Sequence, residues 1–444
     1  MVTLRRPPGA SGQSAAAARG HPGCPARKLV PPGEVSGPSV ERILDRAGER
    51  WVVRSFEVAR QVLRDSDSVR QAGFGAERVA RAGAKMRPPI LYLEGHPHRR
   101  QRKAAARFFA PKVTEDYRAM METLSEQLVG SLRTDRPTDL SELSLKMAVQ
   151  VAAQVIGLTN SPLRAMTRRL DAFFDGDSGS GPLERRVGMS RLRASVAGLN
   201  PTALRRSVNH RTALLRFFYL DVKPAIRARR QQRADDVISQ LLDQGFGDVD
   251  ILTECVTYGA AGMATTREFI TVAAWHLLDD PDLLAQWRKA RTAERLQILE
   301  ETLRLEPVVG HLYRRTTAPL TLTTPRGEEE LAPNSLVDLD IRAINADATV
   351  VGAEPLNLCP ARTLPRSVPA TMMSFGDGNH RCPGGPLALM ESEIFLTRLF
   401  ERDIVADGPP TVQWNAITQG YDLDSMLIRL RALNRPALAR TTTL

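Results

Sequence analysis

"FGDGNHRCPGGP", Phe375 to Pro386, sets Cys382 among four glycines, two prolines, a histidine and an arginine. The middle of a helix is excluded here, because glycine raises the entropy cost of ordering and each proline removes a backbone donor. The stretch therefore predicts a loop shaped around something that the thiol holds. Directly after it, "PLALMESEIFLTRLFER" carries apolar residues at helical spacing.

Outward from this loop, the same spacing recurs. "ERILDRAG", "SFEVARQVLRDS", "TEDYRAMMETLSEQLVGSL", "ELSLKMAVQVAAQVIGL", "DDVISQLLDQ" and "LLAQWRKARTAERLQILEETLRLEP" all read as helices, with Gly or Pro near several ends. Strand-like pieces are short: "RWVVRSF", "PLTLTTP", "LVDLDIRAI" and "DLDSMLIRLRAL". The fold class expected is mainly α with small β-sheets. With 444 residues and 42% hydrophobic content the chain can bury a large core, and no Pro/Gly/Ser-rich linker or internal repeat divides it. We expect a flexible tail over residues 1–38 and a single domain over 39–444.

Cys24, Cys255, Cys359 and Cys382 lack the close spacings of a zinc site or redox motif and are too few to staple so long a chain, which points to a reducing compartment. No run of eighteen apolar residues and no secretory h-region is present, so a cytoplasmic protein that does not enter the membrane is expected. Between Arg164 and Arg233 sixteen Arg and Lys face five Asp and Glu, a surplus equal to the net charge of the whole chain, +11. Such a segment can attract acidic partners or simply be a solvated helix pair; without interleaved aromatics or a zinc motif, nucleic acid is not the expected partner.

One helix differs. "TECVTYGAAGMATTREFITVAAWHLL", Thr253 to Leu278, is apolar on most faces yet keeps Gly259 and Gly262 near its middle, each costing roughly 1 kcal/mol against alanine. Something pressed against that face would account for them.

Taken together the motifs resemble the cytochrome P-450 monooxygenases. "FGDGNHRCPG" fits the family's F-x-x-G-x-H-x-C-x-G signature, with Phe375, Gly378, His380, Cys382 and Gly384 in register. Glu301 and Arg304 match its E-x-x-R pair, and "LCPAR" supplies the later Arg362. His98 and Arg102 match an H-x-x-x-R segment, and Arg314 follows Pro307 at the expected interval. "AGMATT" resembles the A-G-x-[D/E]-T-[T/S] segment, and "NAD" at Asn345 resembles N-R-D.

The resemblance implies heme b with iron and Cys382 as axial thiolate, the only metal ligand from the protein. A thiolate pushes electron density onto the iron and favours O–O cleavage. Phe375 and Gly376 would shield and approach the sulfur, and the helix opened by "PGGP" would face it with its positive end. His98, Arg102, Arg314 and His380 would hold the heme carboxylates by charge-assisted hydrogen bonds, with Arg315 a rival for the role of Arg314. Glu301, Arg304 and Arg362 would brace the cysteine loop rather than catalyse.

The departure from the family lies at Ala264, where an acid normally precedes Thr265. Thr265 is the expected catalytic hydroxyl, and Glu268, one turn on, is a candidate for the missing proton donor; its plain alternative is a pair with a neighbouring arginine on the far side of the helix. Electrons would come from NAD(P)H through a reductase and a ferredoxin, to oxidise a small-molecule, natural-product or carrier-bound substrate. Without the acid, aryl coupling, ring formation or peroxide-driven chemistry stays open, as does a silent heme-binding or recruiting module. Pocket lining is expected from 70–91, 164–233, Tyr258 to Ala261, Val308 to Tyr313 and the last strand pair, with His311 and Tyr313 as polar handles.

Overall fold

Apolar stripes bury where their spacing puts them, and the caps explain where the helices stop. In the computed structural model, which describes residues 24–32, 34, 36–45, 48–76, 87–175 and 212–431, the helix Leu140–Ile156 starts at Asp139. Its carboxylate accepts from Ser141 N–H, and the helix ends at Gly157 in the left-handed region. Leu143, Met147 and Val151 enter the main core from it. This helix packs on Thr265–Asp279, which in turn meets Gly385–Phe400. Helices Arg118–Gly130 and Thr292–Leu305 pack on that same C-terminal helix and enclose it.

A five-stranded sheet stands beside this helical body. Its spatial order is Val40–Asp45, Gly48–Val53, Leu336–Asp340, His311–Thr316 and Val69–Ala72. Trp51, Val53, Val337 and Leu339 cover a second core with the helix Phe56–Arg64. Three smaller sheets complete the fold, one of them the hairpin Thr411–Asn415 with Gly420–Asp424.

The Thr253–Leu278 stretch is helical throughout but not uniform. An α-helix over Asp248–Gly259 passes into a π turn over Ala260–Ala264 and returns to an α-helix over Thr265–Asp279. A Cβ on Gly262 would meet only Ala152 at 3.9 Å, an ordinary contact. Close packing therefore does not demand that glycine; it falls in the turn where the i→i+4 ladder is broken.

Three expectations need correction. "ERILDRAG" is a strand, Val40–Asp45, not a helix: it pairs in register with Gly48–Val53, and Arg42 reaches Glu49 at 2.9 Å across the hairpin, so cross-strand pairing overrides the local pattern. Part of the expected tail is docked. Leu358 N–H donates to Pro25 O, Arg27 N–H to Leu356 O, and Leu29 is buried; residues 1–23 lie outside the described ones. Two of the scattered cysteines meet, Cys24 and Cys359 forming a disulfide with Cα atoms 5.5 Å apart. Their separation of 335 residues is why no spacing rule could have paired them.

Much of the described positive charge between 164 and 233 is neutralised locally. Arg169 pairs with buried Asp221, Arg229 with Asp236, Arg230 with Asp248 and Arg233 with Asp243. Residues 176–211 of that segment lie outside the described ones, as do 77–86. Among the described residues no helix is long and apolar enough to cross a membrane.

Candidate functional site

The cysteine loop is built on glycines that its geometry requires. Gly376 and Gly378 take φ of +66° and +64°, and a Cβ on Gly378 would lie 2.1 Å from Leu63 O. Asp377 caps the turn through Gly378 N–H and holds Arg64 at 2.9 Å. Cys382 N–H closes the loop onto Phe375 O at 2.8 Å. Phe375 is half-buried and lies against the start of the following helix, where a Cβ on Gly385 would come within 3.2 Å of its ring.

Water reaches the Cys382 side chain, yet the density of the surrounding loop pushes its thiol pKa up. Opposing that, the N–H groups of Gly384 and Gly385 bond the sulfur, and Arg102 and Arg381 lie close enough to favour the thiolate. Those two amides belong to the N-terminus of Gly385–Phe400, whose positive end stabilises an anion. An additional cation at the sulfur would complete what these groups begin.

Four basic side chains gather beside the loop. His98, from the helix Gly95–Ala106, is buried and stacks on His380 with ring centroids 4.1 Å apart. Burial, followed by the charges of His380 and Arg102, pushes the His98 pKa down to about 4. Arg102 donates to Arg381 O. Arg314 is buried on the strand His311–Thr316, where burial lowers its pKa to about 10 against the attraction of Glu94. Among the described residues its guanidinium bonds one carbonyl, Tyr313 O, at 2.8 Å.

Glu94, which no motif marks, sits in this cluster. Its carboxylate meets His380 at 3.1 Å and accepts from Gln71 N–H at 2.6 Å. Burial works to raise its pKa, but His380, the Gln71 amide and Arg314 outweigh that and hold it below the usual range. One carboxylate against two guanidiniums and two imidazoles leaves an excess of donors, which suits a dianionic group placed between them and the thiol. The residues present thus fit a heme with its two carboxylates.

Strand alternation decides which neighbours share the site. Arg314 and Leu312 face one way, with Leu312 toward Gly376. His311, Tyr313 and Arg315 turn to the opposite face. His311 Nδ1 lies 2.6 Å from Asp338, stacks on Tyr313, and Arg315 donates to Asn334 O. The polar handles expected of His311 and Tyr313 are thus directed away from the cysteine loop.

Behind the loop runs a closed charge network. Glu301 accepts from Arg304 through two bonds of 2.7 and 2.8 Å, from Arg362 at 2.9 Å, and from Cys359 N–H at 3.1 Å. The remaining guanidinium protons go to carbonyls of Asn345, Val351, Ala353, Glu354, Pro355 and Asn357. Asn345 carries the network on, donating to Arg304 O and Ser374 Oγ and accepting from Met373 N–H at 2.9 Å. Met373 and Ser374 immediately precede Phe375, so the brace ends where the cysteine loop begins.

On the opposite side, Thr265 Oγ donates to Ala261 O across the π turn. Glu268 is not joined to it. Its carboxylate accepts from Leu423 N–H at 2.7 Å and meets Arg267 at 3.2 Å, and burial pushes its pKa up to about 8. The relay expected of Glu268 therefore gives way to its plain alternative, a pair with the neighbouring Arg267, and the same carboxylate also holds the hairpin strand Gly420–Asp424. A different buried acid, Glu391 of Gly385–Phe400, shares a hydrogen bond with Thr266, and burial raises its pKa well above the usual range. Nothing in its local sequence marks it, because its partner lies on another helix.

Comparison with known proteins points the same way. The family model described as cytochrome P-450 matches residues 296–405. The chain is 26% identical over 419 residues to the cytochrome P-450 monooxygenase PikC of Streptomyces venezuelae, covering 89% of this chain and 88% of that protein. Among solved structures it resembles cytochrome P-450 MoxA of Nonomuraea recticatena, with a TM-score of 0.72 at 18% identity, covering 89% of this chain and 93% of that one. It also resembles cytochrome P-450 BioI, solved in complex with an acyl carrier protein ligated to hexadec-9Z-enoic acid; the TM-score is 0.68 at 19% identity, covering 88% of this chain and 95% of that one.

Proposed function

The chain belongs to the cytochrome P-450 family, an oxidoreductase of monooxygenase type, and from that premise we propose that it oxidises a small organic or natural-product substrate with dioxygen and externally supplied electrons. The observation that carries this reading is the meeting of Cys382, at a helix N-terminus, with a surplus of hydrogen-bond donors, the guanidiniums of Arg102 and Arg314 and the stacked imidazoles of His98 and His380. When bound, heme b ligated by the Cys382 thiolate supplies the reductive activation of dioxygen.

Each protein group has a defined task toward that cofactor. Gly384 and Gly385 N–H hold charge on the sulfur, and Phe375 covers one side of the loop. His98, Arg102, His380 and Arg314 bind and orient the carboxylates. Thr265 presents the hydroxyl nearest the π turn. Glu301, Arg304 and Arg362 keep the loop in place without touching substrate.

Electrons are supplied by a ferredoxin and an NAD(P)H-dependent reductase in the cytoplasm. A carrier-bound substrate belongs to the same reading, since BioI, which this chain resembles, was solved in complex with an acyl carrier protein. Ala264 in the position of an acid favours one second reading, oxidative coupling or ring closure, in which proton supply matters less. Turnover under ¹⁸O₂ with ferredoxin, reductase and NAD(P)H separates the two: the monooxygenase inserts one labelled atom into product, and coupling inserts none. Absence of any substrate-dependent NAD(P)H or peroxide consumption would contradict both.

A further inference from the structure

Glu254 has no place in the site described above, yet it is buried at 1% exposure on the helix Asp248–Gly259, ahead of the π turn. Its Oε1 accepts from Ile90 N–H at 2.9 Å and from Gln101 Nε2 at 2.6 Å, while Oε2 is buried without a partner among the described residues. The two donors bracket a single stretch of chain. Ile90 belongs to the short turn Ile90–Tyr92 and Gln101 to the helix Gly95–Ala106. Between them lie Glu94 and His98, and Arg102 follows directly.

We propose that Glu254 is a positioning residue that latches residues 87–102 onto the helix Asp248–Gly259, and that release of this latch governs how readily the 87–93 loop lifts and how firmly His98 and Arg102 are presented. The consequence for cofactor binding rests on the reading above; the latch itself does not. A carboxyl held by two neutral donors, with its second oxygen unpaired, is a poor choice for packing alone, since burying an unpaired polar atom is costly. It is a suitable choice for a contact whose strength follows protonation.

The surroundings give that dependence its direction. Asp250, Cys255 and Tyr258 share the helix with Glu254, Gln101, His98 and Arg102 approach on Gly95–Ala106, and Arg87 on the loop donates its N–H to Asp250 while its guanidinium covers Phe246. No cation pairs with Glu254 among the described residues. Burial therefore dominates and raises its pKa to about 7 from an ordinary 4.5, against the Gln101 and Ile90 bonds. The latched state binds the proton more tightly than the open one. Latching is fully favoured below the open-state value and weakens as pH rises toward the latched-state value, by up to about tenfold per pH unit.

Amide hydrogen exchange on the heme-loaded protein tests this without reference to activity. After correction for intrinsic exchange chemistry, opening at Ile90 should rise by up to about tenfold per pH unit from pH 5 to 7 and level off above. Glu254→Gln keeps an acceptor for both donors and should show the low-pH protection at every pH. Glu254→Leu should lose the protection throughout. Identical corrected profiles for the parent and Glu254→Gln, or parental protection in Glu254→Leu, would overturn the proposal. Should Glu254→Leu fail to fold, Gln101→Met removes one donor and must raise opening several-fold; unchanged protection there would equally refute it.

Discussion

Buried charge is handled in opposite ways on the two sides of the molecule. Around Glu301 both carboxylate oxygens are bonded to arginines, and the guanidinium groups of Arg304 and Arg362 reach a ring of backbone carbonyls. Along the helical stretch 248–279 and the helix facing it, Glu254, Glu268 and Glu391 are each buried with a raised pKa, and Glu254 and Glu391 each keep an oxygen with no partner among the described residues. The first arrangement fixes a loop at one position. The second leaves Glu254 and Glu268, with pKa values raised to about 7 and about 8, free to change charge near neutrality.

Removing the centre of the fixed side should have the largest effect on stability. Glu301→Gln leaves Arg304 and Arg362 buried without their counter-charge, a loss of about 3–5 kcal/mol when one partner of a buried pair is removed. Chemical denaturation should show it, or the variant should fail to accumulate as folded protein. A denaturation midpoint equal to the parent's would mean that the network is not what braces the loop.

The tether on the same side comes next. Cys24→Ser opens the disulfide that ties the N-terminal segment to the residue whose amide bonds Glu301. A link closing so long a loop typically contributes about 2–4 kcal/mol. Reductant should destabilise the parent to the level of Cys24→Ser and leave the variant unaffected. Parental insensitivity to reductant would show that the tether carries no stability.

On the adjustable side the effect is graded by pH. Glu268 has a folded pKa of about 8 against an ordinary 4.5, so its contribution is fully present below the lower value and is lost as pH rises through the higher. The melting temperature of the parent should therefore fall between pH 5 and 8 more steeply than that of Glu268→Gln. Parallel curves would remove Glu268 from the balance.

What the sequence disclosed, and what it did not, follows the same division. The cysteine loop is legible because its requirements are local: Gly376 and Gly378 answer to φ and to Leu63 O, and Cys382 bonds Phe375 seven positions away. Glu301 and Arg304 are visible as a motif for the same reason. Glu94, Glu254 and Glu391 are not, because each is defined by a partner on another element, His380, Ile90 and Thr266. "ERILDRAG" misleads because five of its neighbours across the hairpin, not its own periodicity, decide that it is extended. The helical class and the placement of most helices were readable from apolar spacing alone. The docking of Pro25 to Leu29 was not, since its partners, Leu356, Leu358 and Glu306, lie far along the chain.

Ligation of heme by the Cys382 thiolate is read in the carbon monoxide spectrum of the reduced, heme-reconstituted protein. The parent should show the strongly red-shifted Soret band of thiolate ligation. Cys382→Ser should lose that band, whereas Cys255→Ser, which changes a thiol buried in the core, should keep it. A red-shifted band that survives in Cys382→Ser would rule out Cys382 as the ligand.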